Sequence, residues 1–130
     1  MAGRKKKNFE LRFYEELAEK IPRFPHVLVC LGELYTRQGF YREGLRVDKR
    51  LVRLRPRDPT VRYNLACSHA LMGNIPESFT ELRRAVLCGY EDFSLLREDP
   101  DLERLRAYPP FREYITRASV LLEREKKGSD

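Results

Sequence analysis

Two histidines and three cysteines are the side chains best suited to chemistry in this sequence, and their spacing leaves them little to do. His26 and His69 lie far apart, and neither can be tied to a serine or cysteine nucleophile. Cys67 and His69 are two positions apart, so on a helix they point in widely different directions. No metal-ligand spacing and no glycine-rich phosphate loop is present. The sequence therefore predicts no catalytic residue, cofactor or metal, and reads as a binding protein, not an enzyme. Cys30, Cys67 and Cys88 fall at apolar helical positions, where thiols serve as small core or groove residues. An odd, unclustered set also predicts reduced thiols and a cytoplasmic setting.

Charge is the second resource. The net charge is +6, but it is unevenly distributed. Between residues 42 and 57 seven basic residues face only Glu43 and Asp48, whereas residues 91–103 carry six acidic residues against Arg97. On a helix over 41–55, Arg42, Arg46, Lys49, Arg50 and Arg53 share about a quarter of the circumference. This basic stripe could bind an acidic protein, a phosphate backbone or an anionic membrane surface. It lacks the interleaved aromatics that stack on bases, so sequence-specific RNA binding has little support. Arg4 to Lys7 add a basic arm. A stripe on one copy meeting the acidic 91–103 segment of another would give self-association. No apolar run approaches the ~20 residues needed to span a bilayer.

These residues must be positioned by helices. A self-comparison at a shift of 34 residues aligns Pro22 with Pro56, Pro25 with Pro59, Leu31 with Leu65, Gly32 with Ala66 and Gly39 with Gly73. Apolar spacing, proline at first helical positions and glycine after helix ends predict helices over 8–21, 25–38, 41–55, 59–72 and 75–88, with no strands. Asp58 is the expected N-cap of the fourth helix, and Asn74 with Glu77 has capping-box spacing for the fifth. Beyond residue 89 the period is expected to fail. There Asp99 and Pro100 are expected to open one helix, and Pro110 a last one over about 111–126.

This pattern resembles the tetratricopeptide repeat family. The first full repeat sets Leu28, Leu31, Gly32, Tyr35, Gly44, Asp48, Leu51 and Pro56 at the family's pattern positions. The second sets Arg62, Leu65, Ala66, His69, Ser78, Leu82, Ala85 and Tyr90 there. The segment after residue 89 is similar to the ending that follows the last repeat in bacterial members. The resemblance implies an all-α fold, an α-solenoid of antiparallel helix hairpins. Its parts would be a disordered arm at 1–7, a lone helix at 8–22, repeats at 25–58 and 59–92, capping helices at 93–126 and a disordered tail at 127–130.

In that family the first helix of each pair lines a concave groove that takes peptides or a partner's helix. The matching positions are His26, Val29, Glu33, Thr36 and Arg37, then Thr60, Tyr63, Asn64, Cys67 and Ala70, with Val29, Tyr63 and Cys67 as an exposed apolar strip. The carboxylate clamp of chaperone-binding members is absent, because only Asn64 matches it. The resemblance thus implies a protein–protein interaction module or scaffold. The alternatives are an electrostatic binder of nucleic acid or an acidic surface, and a self-associating structural protein. Gly32, Gly44 and Ala66 should mark close helix approaches. Asp48 falls at an angle among apolar neighbours, so it is expected to be buried and bonded to Arg62, His69 or Tyr35, with Arg62 favoured.

Overall fold

The computed structural model describes residues 5–128, and among them the chain is helical with no strand. The helices are α1 (Phe9–Lys20), α2 (Pro25–Arg37), α3 (Tyr41–Leu54), α4 (Pro59–Leu71), α5 (Ile75–Leu87), α6 (Phe93–Glu98), α7 (Glu103–Arg106) and α8 (Pro109–Gly128). A short 3₁₀ turn at Pro100–Leu102 separates α6 from α7. From α1 to α5 each helix packs on the next one in the chain; α4 also meets the 3₁₀ turn, and both α4 and α5 meet α7.

Local chemistry sets most of the ends. Asn8 accepts a hydrogen bond from the Leu11 N–H at 2.9 Å, and Asp58 accepts from Thr60 and Val61 at 2.9 and 3.2 Å. These bonds satisfy donors that the first helical turn leaves without partners. Asp58→Ala should cost about 1 kcal/mol of stability, read as a shift in the urea unfolding midpoint. A midpoint equal to the parent's would mean that the cap contributes nothing. Gly39 and Gly73 stop α2 and α4 at φ 84° and 80°, a region that side chains with a Cβ rarely enter. The paired bonds Phe40 N–H to Tyr35 O (2.8 Å) and Gly39 N–H to Thr36 O (3.1 Å) close the first end. Asn74 to His69 (2.9 Å) and Gly73 to Ala70 (3.0 Å) repeat them at the second.

Two expectations about ends need correction. Asn74 makes no side-chain cap for α5. Its amide nitrogen instead lies 3.3 Å from His69 Nδ1. The last helix also starts earlier and ends later than 111–126, so residues 127 and 128 are helical where a tail was expected. The arm is likewise engaged where it is described: Lys5 Nζ donates to Gly39 O at 3.1 Å, and Lys7 pairs with Glu15 at 2.7 Å. Arg4, Ser129 and Asp130 lie outside the described residues.

Helix starts keep the 34-residue spacing further than residue types do. They fall at 25, 59 and 93, and again at 41, 75 and 109. The segment from 93 is not one helix, because Pro100 has no amide hydrogen to donate and holds Asp99 in an extended conformation (φ −62°, ψ 119°). Asp99 then caps the 3₁₀ turn through the Asp101 N–H at 2.9 Å. This break carries two carboxylates back toward α4.

Two apolar clusters hold the helices. One gathers Leu11, Leu28, Leu31, Val47, Leu51 and Val61 from α1–α4, and the other gathers Leu82, Leu96, Leu102, Leu105, Phe111 and Ile115 around Ala66 and Ala70. Each fully buried leucine is worth about 1.5–3 kcal/mol of transfer free energy. Small residues do mark the closest approaches. A Cβ on Gly32 would lie 2.9 Å from Asp48 Oδ1, and one on Gly44 would lie 3.0 Å from Thr36 Oγ1. Ala66 is wholly buried.

Candidate functional site

Between α2 and α4 runs an open groove of about 450 Å³. Val29, Gly32, Glu33, Thr36 and Arg37 line it from α2, Tyr41 and Asp48 from α3, and Tyr63, Asn64, Cys67 and Ser68 from α4. Asp99 and Asp101 close one side from the helix break. Seven of the ten groove positions named from the sequence therefore share one cavity: Val29, Glu33, Thr36, Arg37, Tyr63, Asn64 and Cys67. His26 and Thr60, in the first turns of α2 and α4, are exposed outside it. No residue of α8 is in the lining, so the chain's own last helix does not occupy the groove.

The surface offered is not the expected one. The outward register predicts a Tyr63 that is at least partly exposed, yet it is only 5% exposed. Its ring stacks on Tyr90 at 4.5 Å, and its hydroxyl donates to Asp99. Burial, the neighbouring Cys67 and Asp99 all push its pKa upward. Cys67 and Ala70 are buried too. The apolar strip of Val29, Tyr63 and Cys67 is thus mostly core. Tyr90 from the α5–α6 linker and Asp99 from the helix break cover the tyrosine, and sequence spacing could not show that. What remains on the groove wall is polar and largely acidic.

Asp48 is buried as expected, at 6% exposure. Its partner is different. The Ser68 hydroxyl donates to Asp48 Oδ2 across the α3–α4 contact. Arg62 instead pairs with the buried Glu81 at 2.9 Å and donates to Pro56 O. Tyr35 bonds Glu15, and His69 sits beside Asn74. Glu81 also takes Arg84 at 2.6 Å, so its carboxylate bridges two guanidinium groups. Burial raises the Asp48 pKa from 3.8 to about 6, with Ser68 opposing and Glu33 adding to the rise.

The Cys67 thiol is pushed up by burial and by the Asp99 carboxylate, so it stays protonated. Its sulfur and the carboxylates of Asp99 and Asp101 lie within 4.8 Å of one another. Both Asp99 oxygens already accept bonds, from Tyr63 and from the Asp101 N–H. His69 is lowered by burial and by Lys49, and it bonds away from the groove. His26 Nε2 and Cys30 Sγ stand 4.0 Å apart on α2, a pairing that their four-residue spacing could have revealed.

The basic stripe is also modified by its surroundings. Arg42, Lys49 and Arg53 are exposed, whereas Arg50 donates to Pro22 O at 2.8 Å. Arg46 and Arg50 share a second groove, of about 690 Å³, with Lys7, Arg12, Glu15, Glu16, Glu19 and Glu43. Four cations there face four carboxylates.

No protein-family model matches the chain. Over 83 residues, 62% of its length, it is 31% identical to a chloroplastic protein of Arabidopsis thaliana. The match spans 25% of that protein, so the chain corresponds to about a quarter of this relative. Among the described residues no helix is long and apolar enough to cross a membrane.

Proposed function

We propose that the chain is a tetratricopeptide-like interaction module that holds a peptide or helix of another protein in the α2–α4 groove. One observation carries the reading. Positions 34 apart, Val29 with Tyr63 and Glu33 with Cys67, line one open cavity from α2 and α4. The recurrence of helix starts at 25, 59 and 93 supports a repeat architecture. A protonated Cys67 and a His69 bonded away from the groove favour binding over catalysis. Three free thiols fit a reducing compartment such as the cytoplasm.

The electrostatic alternative rests on Arg42, Arg46, Lys49 and Arg53, the exposed part of the stripe. It is the weaker reading, because Arg46 and Arg50 lie in a groove with four glutamates. To separate the two, a partner isolated from the native cell is purified and titrated against three proteins. Glu33→Trp/Asn64→Trp, which plugs the groove, should weaken binding about tenfold or more relative to the parent, with an unchanged circular dichroism spectrum. Arg42→Glu/Lys49→Glu should bind like the parent. The reverse ranking would transfer the function to the stripe.

A further inference from the structure

The groove wall carries Glu33, Asp48, Asp99 and Asp101 against a single cation, Arg37. Among the described residues none of these four carboxylates takes part in an ion pair. The ion pairs formed are Lys7–Glu15, Arg62–Glu81, Arg84–Glu81 and Arg117–Glu113, all outside this lining. Among the described residues, the acidic wall of this concavity is thus left without an internal ion pair.

Asp48 makes that omission informative. It is only 6% exposed, and the Ser68 hydroxyl satisfies Oδ2 alone. Oδ1 accepts no hydrogen bond, yet no fully buried side-chain oxygen lacks a partner among the described residues, so Oδ1 is reached from the groove that Asp48 lines. Gly32 keeps that opening clear, since a Cβ there would stand 2.9 Å from the oxygen. An ionised carboxylate with one neutral donor is poorly compensated in such a site, and a cationic donor entering from the groove would supply what it lacks. Asp99 is held in place by Tyr63 and by the Asp101 N–H, so it contributes fixed negative charge at the far wall.

We infer that the groove takes a basic segment of a partner protein, an extended peptide that places an arginine or lysine side chain against Glu33 and Asp48 with Asp99 and Asp101 opposite. This rests on the groove reading above and specifies its ligand. At about 450 Å³ and open to solvent, the cavity is far larger than a single ion and suits a side chain carried on a backbone. Arg37 stands in the same lining, where it can meet the peptide's carbonyls. An acidic tail would face four carboxylates.

The test is selection from a random library of end-blocked octapeptides on the immobilised full chain, followed by sequencing of the retained pool. Arginine and lysine should be enriched about tenfold at one or two positions, roughly the worth of one charge-assisted hydrogen bond. Glu33→Gln/Asp48→Asn should abolish that enrichment while keeping the parent's helical spectrum, and Glu33→Gln alone, on an exposed side chain, should reduce it. Enrichment of apolar residues that the Glu33→Trp/Asn64→Trp plug removes, with no basic preference, overturns the cation inference and leaves the groove reading standing. Enrichment of acidic residues overturns it as well. A pool that the plug does not alter, or no enrichment at all, removes both. Sedimentation of the protein alone covers the remaining occupant. A dimer that dissociates in Glu33→Gln/Asp48→Asn would mean that a second copy's basic face fills the groove, and the partner-peptide form would fall.

Discussion

Gly32→Leu should lower the melting temperature by about 10 °C, a loss of about 3 kcal/mol for a chain of this size. The first added carbon alone would lie 2.9 Å from Asp48 Oδ1 and 3.5 Å from Val47 Cγ1. Three further carbons have no space in the α2–α3 contact. Leucine is the better helix former by somewhat under 1 kcal/mol, which offsets only part of the clash. A double-mutant cycle isolates the cause: Gly32→Ala destabilises the parent, but should be close to neutral in an Asp48→Ala background, where the opposing oxygen is gone. A Gly32→Leu melt that overlays the parent's would show that α2 and α3 are not in close contact there.

Asp48→Asn should stabilise the protein by about 2 kcal/mol at pH 7.5 and by only a few tenths at pH 4. The folded carboxyl holds its proton to about pH 6, whereas the ordinary value is 3.8. Between those values the folded protein binds more protons than the unfolded chain, so stability falls as pH rises. This favourable contribution is whole below about pH 4 and lost above about pH 6, where the folded state must carry a desolvated charge with Ser68 as its only donor. Asparagine can keep the bond to Ser68 without the charge. Chemical unfolding of both proteins from pH 4 to 8 reads the difference directly. A pH-independent difference would mean that Asp48 is not titrating out of range. The same substitution is expected to weaken basic-peptide binding, so stability and ligand recognition oppose one another at this residue.

Much of the helical layout is legible in the sequence because its causes are local. A proline at Pro25 or Pro59, an aspartate at Asp58 and glycines at Gly39 and Gly73 act on backbone groups a few residues away. The burial of Asp48 is legible for the same reason, since its angle on α3 follows from helical periodicity. Its partner is not. Arg62 is one turn away by spacing, but Glu81 on α5 offers a buried carboxylate shared with Arg84, and Ser68 faces Asp48 instead. Choosing among donors depends on how α3, α4 and α5 cross, and that is a matter of packing.

The groove divides along the same line. The resemblance to the repeat family placed Val29, Glu33 and Asn64 on the outward faces of α2 and α4, and it implied that these two helices would present them together. Only the tertiary structure decided that Tyr63 and Cys67 turn into the core and that Asp99 and Asp101 join the wall. Pro100 made the break visible in sequence but not its direction. Leu96, Leu102 and Leu105 are fully buried in the same cluster as Ala66 and Ala70, and that contact folds the broken segment onto α4. Local backbone chemistry thus set where most of the helices start and stop. Burial of apolar surface between segments distant in the chain set which charges face the groove, and no local signal encodes that choice.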